Sequence, residues 1–264
     1  MKWLSIVVLV LVGAVTPAHA DAWYEGRAGH RRVIQLSIAA TGGALFLVSE
    51  TVLKSSLAPS ACRWCKPDGL DASWREALVW RNPGTAQTIS NITGYVAAPV
   101  SALGFLVIDD LSADAGATWG VVLDDALPVL EAAAVGQVIT QAAKFSVGRE
   151  RPFVHYGAAA PHQIDDDLSF FSGHSSLTAS LAVSAGMIAS KRHPSIAPYV
   201  WASGATLALA TGYLRIAGDK HYFTDVLTGL AVGTVAGFGA AKLALSDDVA
   251  IVPTANGFAL AGAF

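Results

Sequence analysis

Charge is scarce in this chain: only 14% of its 264 residues are charged, whereas 53% are hydrophobic. The formal net charge is −3 and no run of basic residues occurs, so nothing in the composition favours a nucleic-acid partner. The chain is more apolar than an average soluble protein. Its length suffices for one large domain or two small ones.

Cysteine is also scarce, and Cys62 and Cys65 are the only two. A structural zinc site needs four ligands, and no second Cys-x-x-Cys and no nearby His-x-x-His supplies them. A thioredoxin-like redox role would require a βαβ context that the sequence lacks. We therefore predict a structural disulfide between these two cysteines if the chain is exported to an oxidising compartment. We predict no metal site.

The first twenty residues are typical of a secretory signal. Lys2 provides a basic start, residues 3–15 are apolar, and Ala-His-Ala at 18–20 is a small-residue cleavage sequence. The apolar run is short for a membrane span of about 20 residues, which favours a cleaved signal at 1–20 over an uncleaved anchor. We expect an exported, periplasmic protein that is either soluble or membrane-associated.

Long alternation of polar and apolar residues, the pattern of half-buried strands, is absent between residues 21 and 246. Six apolar stretches, each long enough for a helix, fill this part instead. We predict an all-α six-helix bundle, with an N-terminal helix and Cys-containing connection at 21–84 and the core at 85–246. The stretches are Val33–Leu53, Ile89–Leu111, Trp119–Phe145, Ser175–Ser190, Ile196–Ile216 and Phe223–Leu245.

The tail at 247–264 has a different pattern. Two short apolar runs flank Asn256-Gly257, and Asn-Gly is a strong signal for a tight hairpin turn. We predict a short C-terminal β-hairpin there.

The relation of the helices to a membrane is left open by their sequences. Asp124, Asp125 and Glu131 fall inside the third stretch, where charges are costly within a bilayer. By contrast, Lys191-Arg192 between the fourth and fifth stretches is typical of a cytoplasmic loop. A soluble or peripheral protein and an integral membrane protein both fit the sequence.

The first chemically informative segment is Lys144 to Pro152, with the sequence KFSVGRERP. Lys144 and Arg151 are seven residues apart, so they share a face if the helix continues. The guanidinium fork matches phosphate oxygens, and the lysine adds a compact charge. Taken alone, the segment is equally typical of a solvated basic helix end.

The second segment is Ser172-Gly173-His174, just before an apolar helical run. Such a turn can direct free backbone N–H groups and the serine hydroxyl at an anion. Gly173 permits close approach of the backbone. His174 could protonate a leaving oxygen. The alternative is that Ser172 is simply a helix N-cap.

The third segment contains Arg215, His221 and Asp225. His221 and Asp225 are four residues apart, which makes them neighbours on one face of a helix. A carboxylate there can hold the imidazole tautomer, leaving the other ring nitrogen free to attack phosphorus. The alternative is an ordinary surface His–Asp pair.

Two further charged features allow more than one interpretation. Arg149 either supplements the phosphate site or faces water. The three consecutive acids Asp165–Asp167 could bind a cation, but an acidic solvated loop is the favoured interpretation.

Together the three segments closely resemble the signature of the type 2 phosphatidic acid phosphatase (PAP2) superfamily, which includes bacterial acid phosphatases, lipid phosphatases and vanadium haloperoxidases. The signature is Lys-x6-Arg-Pro, then Pro-Ser-Gly-His, then Ser-Arg-x5-His-x3-Asp. Order and spacing match throughout, and the resemblance covers roughly residues 85 to 245. Phe171 replaces the signature proline and Leu214 replaces its serine.

The resemblance implies a metal-independent phosphatase that needs no cofactor and acts on a phosphorylated small molecule or a lipid phosphate or pyrophosphate. It implies that His221 is the nucleophile that forms a phosphohistidine, that Asp225 orients it, and that His174 is the general acid. Alternatives are a vanadate-dependent haloperoxidase and a non-catalytic envelope protein; a homo-oligomer is compatible with each. The residues implied to bind the phosphoryl oxygens are Lys144, Arg151, Ser172, Gly173 and Arg215.

Overall fold

The computed structural model describes residues 27–112, 119–157, 162–246, 249–254 and 257–262. Helices dominate the described chain as far as Leu245, as the apolar stretches predict. The predicted signal at 1–20 lies outside the described residues.

The predicted count of six helices is too low. Each of the six apolar stretches lies on a helical segment, but short helices stand between them. In chain order the described helices are α1 (Arg27–Thr51), α2 (Lys54–Leu57), α3 (Gly69–Leu78), α4 (Pro83–Ile92), α5 (Ala98–Ser112), α6 (Trp119–Val147), α7 (Pro152–His155), α8 (Gly173–Arg192), α9 (Ala197–Ala217) and α10 (Phe223–Leu245).

A search for apolar runs does not find the additional helices, because capping residues and a proline at the first helical position determine where they begin. Helix α3 begins at the N-cap Asp68, whose side chain accepts a hydrogen bond from the backbone N–H of Asp71. Helix α4 begins at Pro83, which suits the first helical position because it lacks an N–H. A π-helical turn, Thr93–Ala97, then joins α4 to α5, so the second apolar stretch is interrupted rather than continuous.

Helix α8 packs against α6, α9 and α10. Its contact with α10 is close because glycines recur every fourth residue on the facing side of α10, at Gly229, Gly233 and Gly237. A Cβ on Gly233 would lie 2.2 Å from the carbonyl oxygen of Ser176. Helix backbones can approach this closely only where side chains are missing.

The bundle brings the three motif segments to one end. Short connections join α8 to α9 and α9 to α10, so each of these helices runs antiparallel to the one before it. Gly136 of α6 faces Ser176 of α8 and Gly173 faces Thr140, so these two helices also run in opposite directions. The end of α6, the start of α8, the end of α9 and the start of α10 therefore meet at the same end, which we call the site end.

Large apolar side chains cover much of the outside of the bundle. Val52, Val100, Ile108, Leu209 and Val235 are each at least 65% exposed. Within the described residues, three helical segments are long and apolar enough to cross a membrane, by length and composition: Arg31–Thr51, Pro83–Ser112 and Phe223–Leu245. These features indicate association with a membrane.

Beyond α10 the backbone of β1 (Val249–Thr254) pairs antiparallel with that of β2 (Gly257–Gly262). Thr254 stands opposite Gly257 and Val249 opposite Gly262.

Candidate active site

Lys144 and Gly173 adjoin where α6 ends and α8 begins. A Cβ on Gly173 would lie 3.8 Å from Lys144 Nζ and 3.3 Å from Thr140 Cγ2, so a larger residue would crowd the start of α8. Within the described residues the Lys144 ammonium has no hydrogen bond or salt bridge. The lysine and the first N–H groups of α8, which have no intrahelical partner, can therefore share an anion.

Ser172 is the N-cap of α8. Its side chain therefore caps the helix, which is the alternative to phosphate binding that the sequence left open. Its Oγ accepts hydrogen bonds from Ser175 N at 3.3 Å and from Ser175 Oγ at 2.9 Å. Its backbone N–H donates to the carbonyl oxygen of Asp225 at 3.0 Å. This last bond ties the start of α8 to the start of α10.

Two buried arginines stand on the other elements of the site end. Arg151 Nε donates to the carbonyl oxygen of Asp165 at 2.7 Å and its Nη1 to that of Lys220 at 3.0 Å, which fixes the guanidinium. Arg215 Nη1 donates to Ser90 Oγ at 3.1 Å, while its buried Nε has no partner among the described residues. Buried donors are rarely left unpaired, so the free Nε is suited to an anion.

His221 is 2% exposed, and its tautomer is defined by the backbone. Its Nδ1 lies 2.8 Å from the carbonyl oxygen of Ser169. Because a carbonyl oxygen can only accept, Nδ1 carries the proton and Nε2 carries the lone pair. The ring therefore has the form that a nucleophile requires.

Asp225 does not orient His221 through the direct hydrogen bond that the spacing suggests. Its Oδ2 is 3.7 Å from His221 Nδ1 and instead accepts from Ser169 Oγ at 2.6 Å and from Tyr222 N at 2.9 Å. Ser169 thus contacts both residues: its hydroxyl binds the carboxylate and its carbonyl binds the imidazole. The i,i+4 spacing brings the pair close. However, Asp225 is also the N3 residue of α10, and its Oδ2 accepts the capping hydrogen bond from the backbone N–H of Tyr222.

Arg149 does not face water; it is 1% exposed and holds two buried carboxylates. Its Nη1 donates to Asp225 Oδ1 at 2.6 Å and its Nη2 to Asp71 Oδ2 at 2.5 Å. Its guanidinium carbon also lies 3.8 Å from the ring centroid of Trp64 and 4.3 Å from that of Tyr222. Arg149 therefore supports the residues behind the site rather than the phosphate pocket.

The cysteine-containing loop packs on this segment. Cys62 and Cys65 form a disulfide with a Cα–Cα distance of 5.4 Å. Between them, Arg63 N and Trp64 N donate to the carbonyl oxygen of Gly148, and Glu150 N donates to that of Trp64. The loop thus holds the backbone on both sides of Arg149.

His174, 8% exposed at the start of α8, contacts the π-helical turn. Its Nε2 lies 2.9 Å from Asn91 Oδ1, and the Tyr95 ring lies 4.3 Å from the imidazole, centroid to centroid. A Cβ on Gly94 would lie 2.9 Å from His174 Cδ2. The π turn therefore gives the histidine a closely fitted environment, and π turns are frequent at functional sites.

The electrostatics show that both histidines share one cationic environment. Burial, together with Arg151, Arg215 and Lys144, holds the pKa of His221 well below its ordinary value. Burial and the same three cations also lower the pKa of His174. Burial, aided by Arg151, lowers the pKa of Lys144 to about 8. The histidines are thus neutral at neutral pH in the free protein, and the site attracts anions.

The three segments thus converge as predicted, but several neighbours of the site carry no motif. Asn91 and Ser90 lie in a stretch whose pattern indicates only an apolar helix. Asp71 follows an N-cap in a long connection. The prediction of a solvated acidic loop is wrong for Asp166 and Asp167, which are 7% and 2% exposed.

A helical bundle that places two histidines among three cations is suited to an enzyme that acts on a phosphate ester. Residues 125–245, which include all three segments, match the PAP2 superfamily. A similar solved structure is that of a transmembrane PAP2 type phosphatidylglycerolphosphate phosphatase from Bacillus subtilis, 20% identical, with 78% of this chain and 93% of that chain covered and a TM-score of 0.47. No curated protein sequence matches significantly.

Residues 125–245, somewhat less than half of the chain, are thus similar to the PAP2 superfamily. This match supports a phosphoric-ester hydrolase at the level of that family.

Proposed function

We propose that the protein hydrolyses a lipid phosphate or pyrophosphate through a phosphohistidine on His221. The observation that carries this proposal is the tautomer of His221. Its Nδ1 proton is donated to Ser169 O, so the Nε2 lone pair is available among cations that can hold a phosphoryl group. Phosphoryl transfer needs positioning and charge stabilisation more than covalent help, and fixed cations supply both.

Each side chain of the pocket has a role in this mechanism. Lys144, Arg151, Arg215 and the first N–H groups of α8 bind the phosphoryl oxygens. His221 Nε2 attacks phosphorus, the bond to the leaving oxygen breaks, and water later attacks the phosphohistidine to release phosphate. Asp225 acts through Ser169, which binds both residues, and favours the positive charge that His221 acquires.

His174 supplies the proton for the leaving oxygen. In the free site its pKa is lowered by burial and the nearby cations, so it is neutral. A bound phosphate dianion offsets that positive charge and raises the affinity of the ring for a second proton. His174 therefore becomes a protonated general acid only when substrate is bound, and it stays neutral in the free enzyme.

A lipid substrate is favoured by the surface next to His174. Tyr95 contacts the imidazole and is 53% exposed, and Ile92 and Val96 beside it are 54% and 56% exposed. This apolar surface continues along Pro83–Ser112, one of the three segments that could cross a membrane. An acyl chain lying against it would place its phosphate headgroup beside the catalytic histidine.

The orientation of the bundle in a membrane is a further part of the proposal. Arg31, Arg32, Lys191 and Arg192 lie at the end opposite the site, but Lys54, Arg63, Lys66, Arg75 and Arg81 lie at the site end, so basic residues alone do not orient the bundle. The predicted secretory signal is what favours a site on the exported side. We propose that the site end faces the exported side of the membrane.

Rapid quench with a ³²P-labelled lipid phosphate and with an aryl phosphate tests the mechanism. Acid-labile label should appear on the peptide that contains His221, and His221→Gln should abolish it. His174→Gln should allow the label to accumulate with the aryl phosphate, whose leaving group needs no proton. Label on His174, or normal turnover in His221→Gln, would overturn the assignment. Hydrolysis of the aryl phosphate alone would restrict the enzyme to soluble substrates.

A further inference from the structure

A second cluster of ionisable side chains lies at the end of the bundle opposite the candidate active site. It comprises Asp109 and Asp110 at the end of α5, Asp125 near the start of α6, and His193, the C-cap of α8. Nineteen residues separate His193 from His174 along α8, which corresponds to about 28 Å. The cluster is therefore remote from the phosphate pocket, and the proposed mechanism makes no use of it.

The geometry points to a divalent metal site, and we propose that Asp110, Asp125 and His193 bind Zn²⁺ or a chemically similar ion such as Mn²⁺. One ligand atom from each of these buried residues lies within 4.8 Å of the other two. His193 Nε2 is 2.5 Å from Asp125 Oδ2 and 3.6 Å from Asp110 Oδ1. Ligands of a tetrahedral zinc at about 2.1 Å stand about 3.4 Å apart, so a modest separation of His193 from Asp125 admits the ion.

An unpaired carboxylate oxygen is the independent sign of a missing partner. The Asp110 side chain is 2% exposed, and among the described residues its buried Oδ2 has no hydrogen-bond partner. Its other oxygen, Oδ1, lies 3.6 Å from Nε2 of the His193 ring. A buried anionic oxygen without a donor is costly, and a cation coordinated beside His193 would satisfy it.

The surroundings have the second shell that a metal-bound histidine requires. His193 Nδ1 lies 2.7 Å from Asp109 Oδ2, so a neutral ring donates its proton to Asp109 and presents the Nε2 lone pair to the ion. This carboxylate–histidine arrangement recurs at metal sites because it fixes the tautomer and increases the basicity of the ligand. Arg192 Nη1 donates to Asp125 Oδ1, which leaves Oδ2 for the metal.

The balance of charge favours a divalent ion over a proton. Arg32 forms a bidentate pair with Asp124, at 2.7 and 2.8 Å, and so removes that carboxylate from the balance. Three carboxylates then face Arg192 and His193, and a protonated His193 leaves one negative charge uncompensated. A neutral His193 with a divalent ion leaves none.

One imidazole among two carboxylates selects the type of ion. Mg²⁺ and Ca²⁺ prefer sites made of oxygen alone, whereas an imidazole nitrogen suits zinc and other transition ions. The three ligands come from α5, α6 and the α8–α9 connection, so the ion would hold these elements together. Its role is structural, and the phosphatase activity of the proposed function does not depend on it for chemistry.

Metal analysis and thermal unfolding of the full-length, detergent-solubilised, untagged protein test the site. Metal content is measured by mass spectrometry after dialysis against Zn²⁺ or Mn²⁺, and the melting temperature is measured before and after chelation. We expect about one ion per chain and a melting temperature that falls on chelation and recovers when the metal returns. Asp110→Asn and His193→Gln should each lower metal affinity at least tenfold, because each removes a ligand.

Asp124→Asn is the matched control, since Asp124 belongs to the same acidic group but pairs with Arg32. It should bind metal as the wild type does. Retained hydrolysis of an aryl phosphate shows that Asp110→Asn is folded, because that reaction occurs at the opposite end of the bundle. Absence of stoichiometric metal, an equal loss in Asp124→Asn, or a melting temperature that responds to pH but not to metal would overturn the proposal.

Discussion

Arg149 and Asp225 form an ion pair with almost no access to solvent. Arg149 Nη1 lies 2.6 Å from Asp225 Oδ1, and the two side chains are 1% and 0% exposed. The same guanidinium binds Asp71, so one buried cation serves two buried carboxylates. Arg149 therefore holds Asp225 in place. Its position in the sequence, two residues before Arg151, does not indicate this role.

Arg149→Met should therefore destabilise the protein strongly. The substitution leaves Asp71 and Asp225 buried without a cation, and removing one partner of a buried pair costs about 3–5 kcal/mol. Phosphatase activity should fall as well, because Asp225 and Ser169 lose their fixed positions. Denaturant unfolding monitored by circular dichroism measures the first effect.

Arg63→Met is the control for this prediction. Arg63 lies in the adjacent loop but is exposed, and among the described residues its side chain donates to backbone carbonyls, the nearer being Ser146 O at 2.7 Å. Its loss should cost less than about 1 kcal/mol. Equal stability of the two variants would contradict the role assigned to Arg149.

The pH dependence of activity should report the ionisation of Lys144. Its pKa is lowered to about 8 by burial and by Arg151, so the free enzyme loses this positive charge as pH rises through 8. Phosphate binding requires the charged form, and kcat/KM should therefore fall about tenfold per pH unit above that value. Lys144→Arg should remove this alkaline limb, because a guanidinium stays charged.

Lys54→Arg serves as the matched comparison. Lys54 already pairs with Glu50 at 2.5 Å and Asp165 at 2.7 Å, and these partners contribute to raising its pKa. Its replacement should leave the limb where it is. If Lys144→Arg also leaves the limb unchanged, a group other than Lys144 controls it.

The sequence predicts the chemistry of the site better than its surroundings. Lys144, His174 and His221 could be found because their spacing is set by helix geometry and by the chemistry of phosphate binding. Asn91 and Asp71 could not, because they reach the site through packing of α3 and α4 against distant parts of the chain. Nothing in their local sequence distinguishes them from an ordinary helix residue or capping residue.

The fold shows the same division. The six apolar stretches were recognisable because burial and lipid exposure both require long apolar runs. Helix α3 was missed because Asp68 forms it by capping, and the turn at Thr93–Ala97 was missed because no residue pattern specifies a π turn. Asp166 and Asp167 were misplaced in solvent because their burial depends on tertiary contacts that composition does not reveal.

Gly94 should be essential for the position of His174. Alanine there would bring a Cβ to 2.9 Å from His174 Cδ2, and the ring cannot move freely because Asn91 and Tyr95 hold it. We expect Gly94→Ala to lower kcat by about tenfold or more, because a displaced general acid loses part of a contribution of about 10²–10⁴-fold. The fold should persist, since alanine favours helix over glycine.

Gly104→Ala, in the following helix α5, is the control because a Cβ there meets nothing within 4 Å. It should keep wild-type kcat and be as stable or slightly more stable. Equal kcat in the two alanine variants would show that the π turn does not constrain the histidine.

Loss of the Cys62–Cys65 disulfide should lower both the stability and the kcat of the protein. A bridge that closes a loop of only four residues removes about 2 kcal/mol of conformational freedom from the unfolded chain. The double variant Cys62→Ser/Cys65→Ser should lose about that much, and its kcat should fall because Trp64 supports Arg149. Alkylation of the native protein without reduction should detect no free thiol; two alkylated cysteines would contradict the prediction.

Membrane topology can be tested with single cysteines at the two ends of the bundle. Glu76 is exposed at the site end and Lys191 is exposed at the opposite end. If the site faces the exported side, Glu76→Cys should react with a membrane-impermeant maleimide in cells whose outer membrane is permeabilised and whose inner membrane is intact. Lys191→Cys should react only after lysis. The wild type, with its two cysteines joined, provides the background.

Fractionation completes this prediction, because labelling alone does not separate a spanning protein from a soluble exported one. Three apolar segments of spanning length should keep the protein in the membrane pellet at high salt and alkaline pH, and detergent should release it. Labelling of both cysteines in intact cells, with the protein in the soluble fraction, would instead identify a soluble exported enzyme. The exposed apolar side chains of α5 and α10 would then need another partner, and the proposal of a lipid substrate would lose its main support.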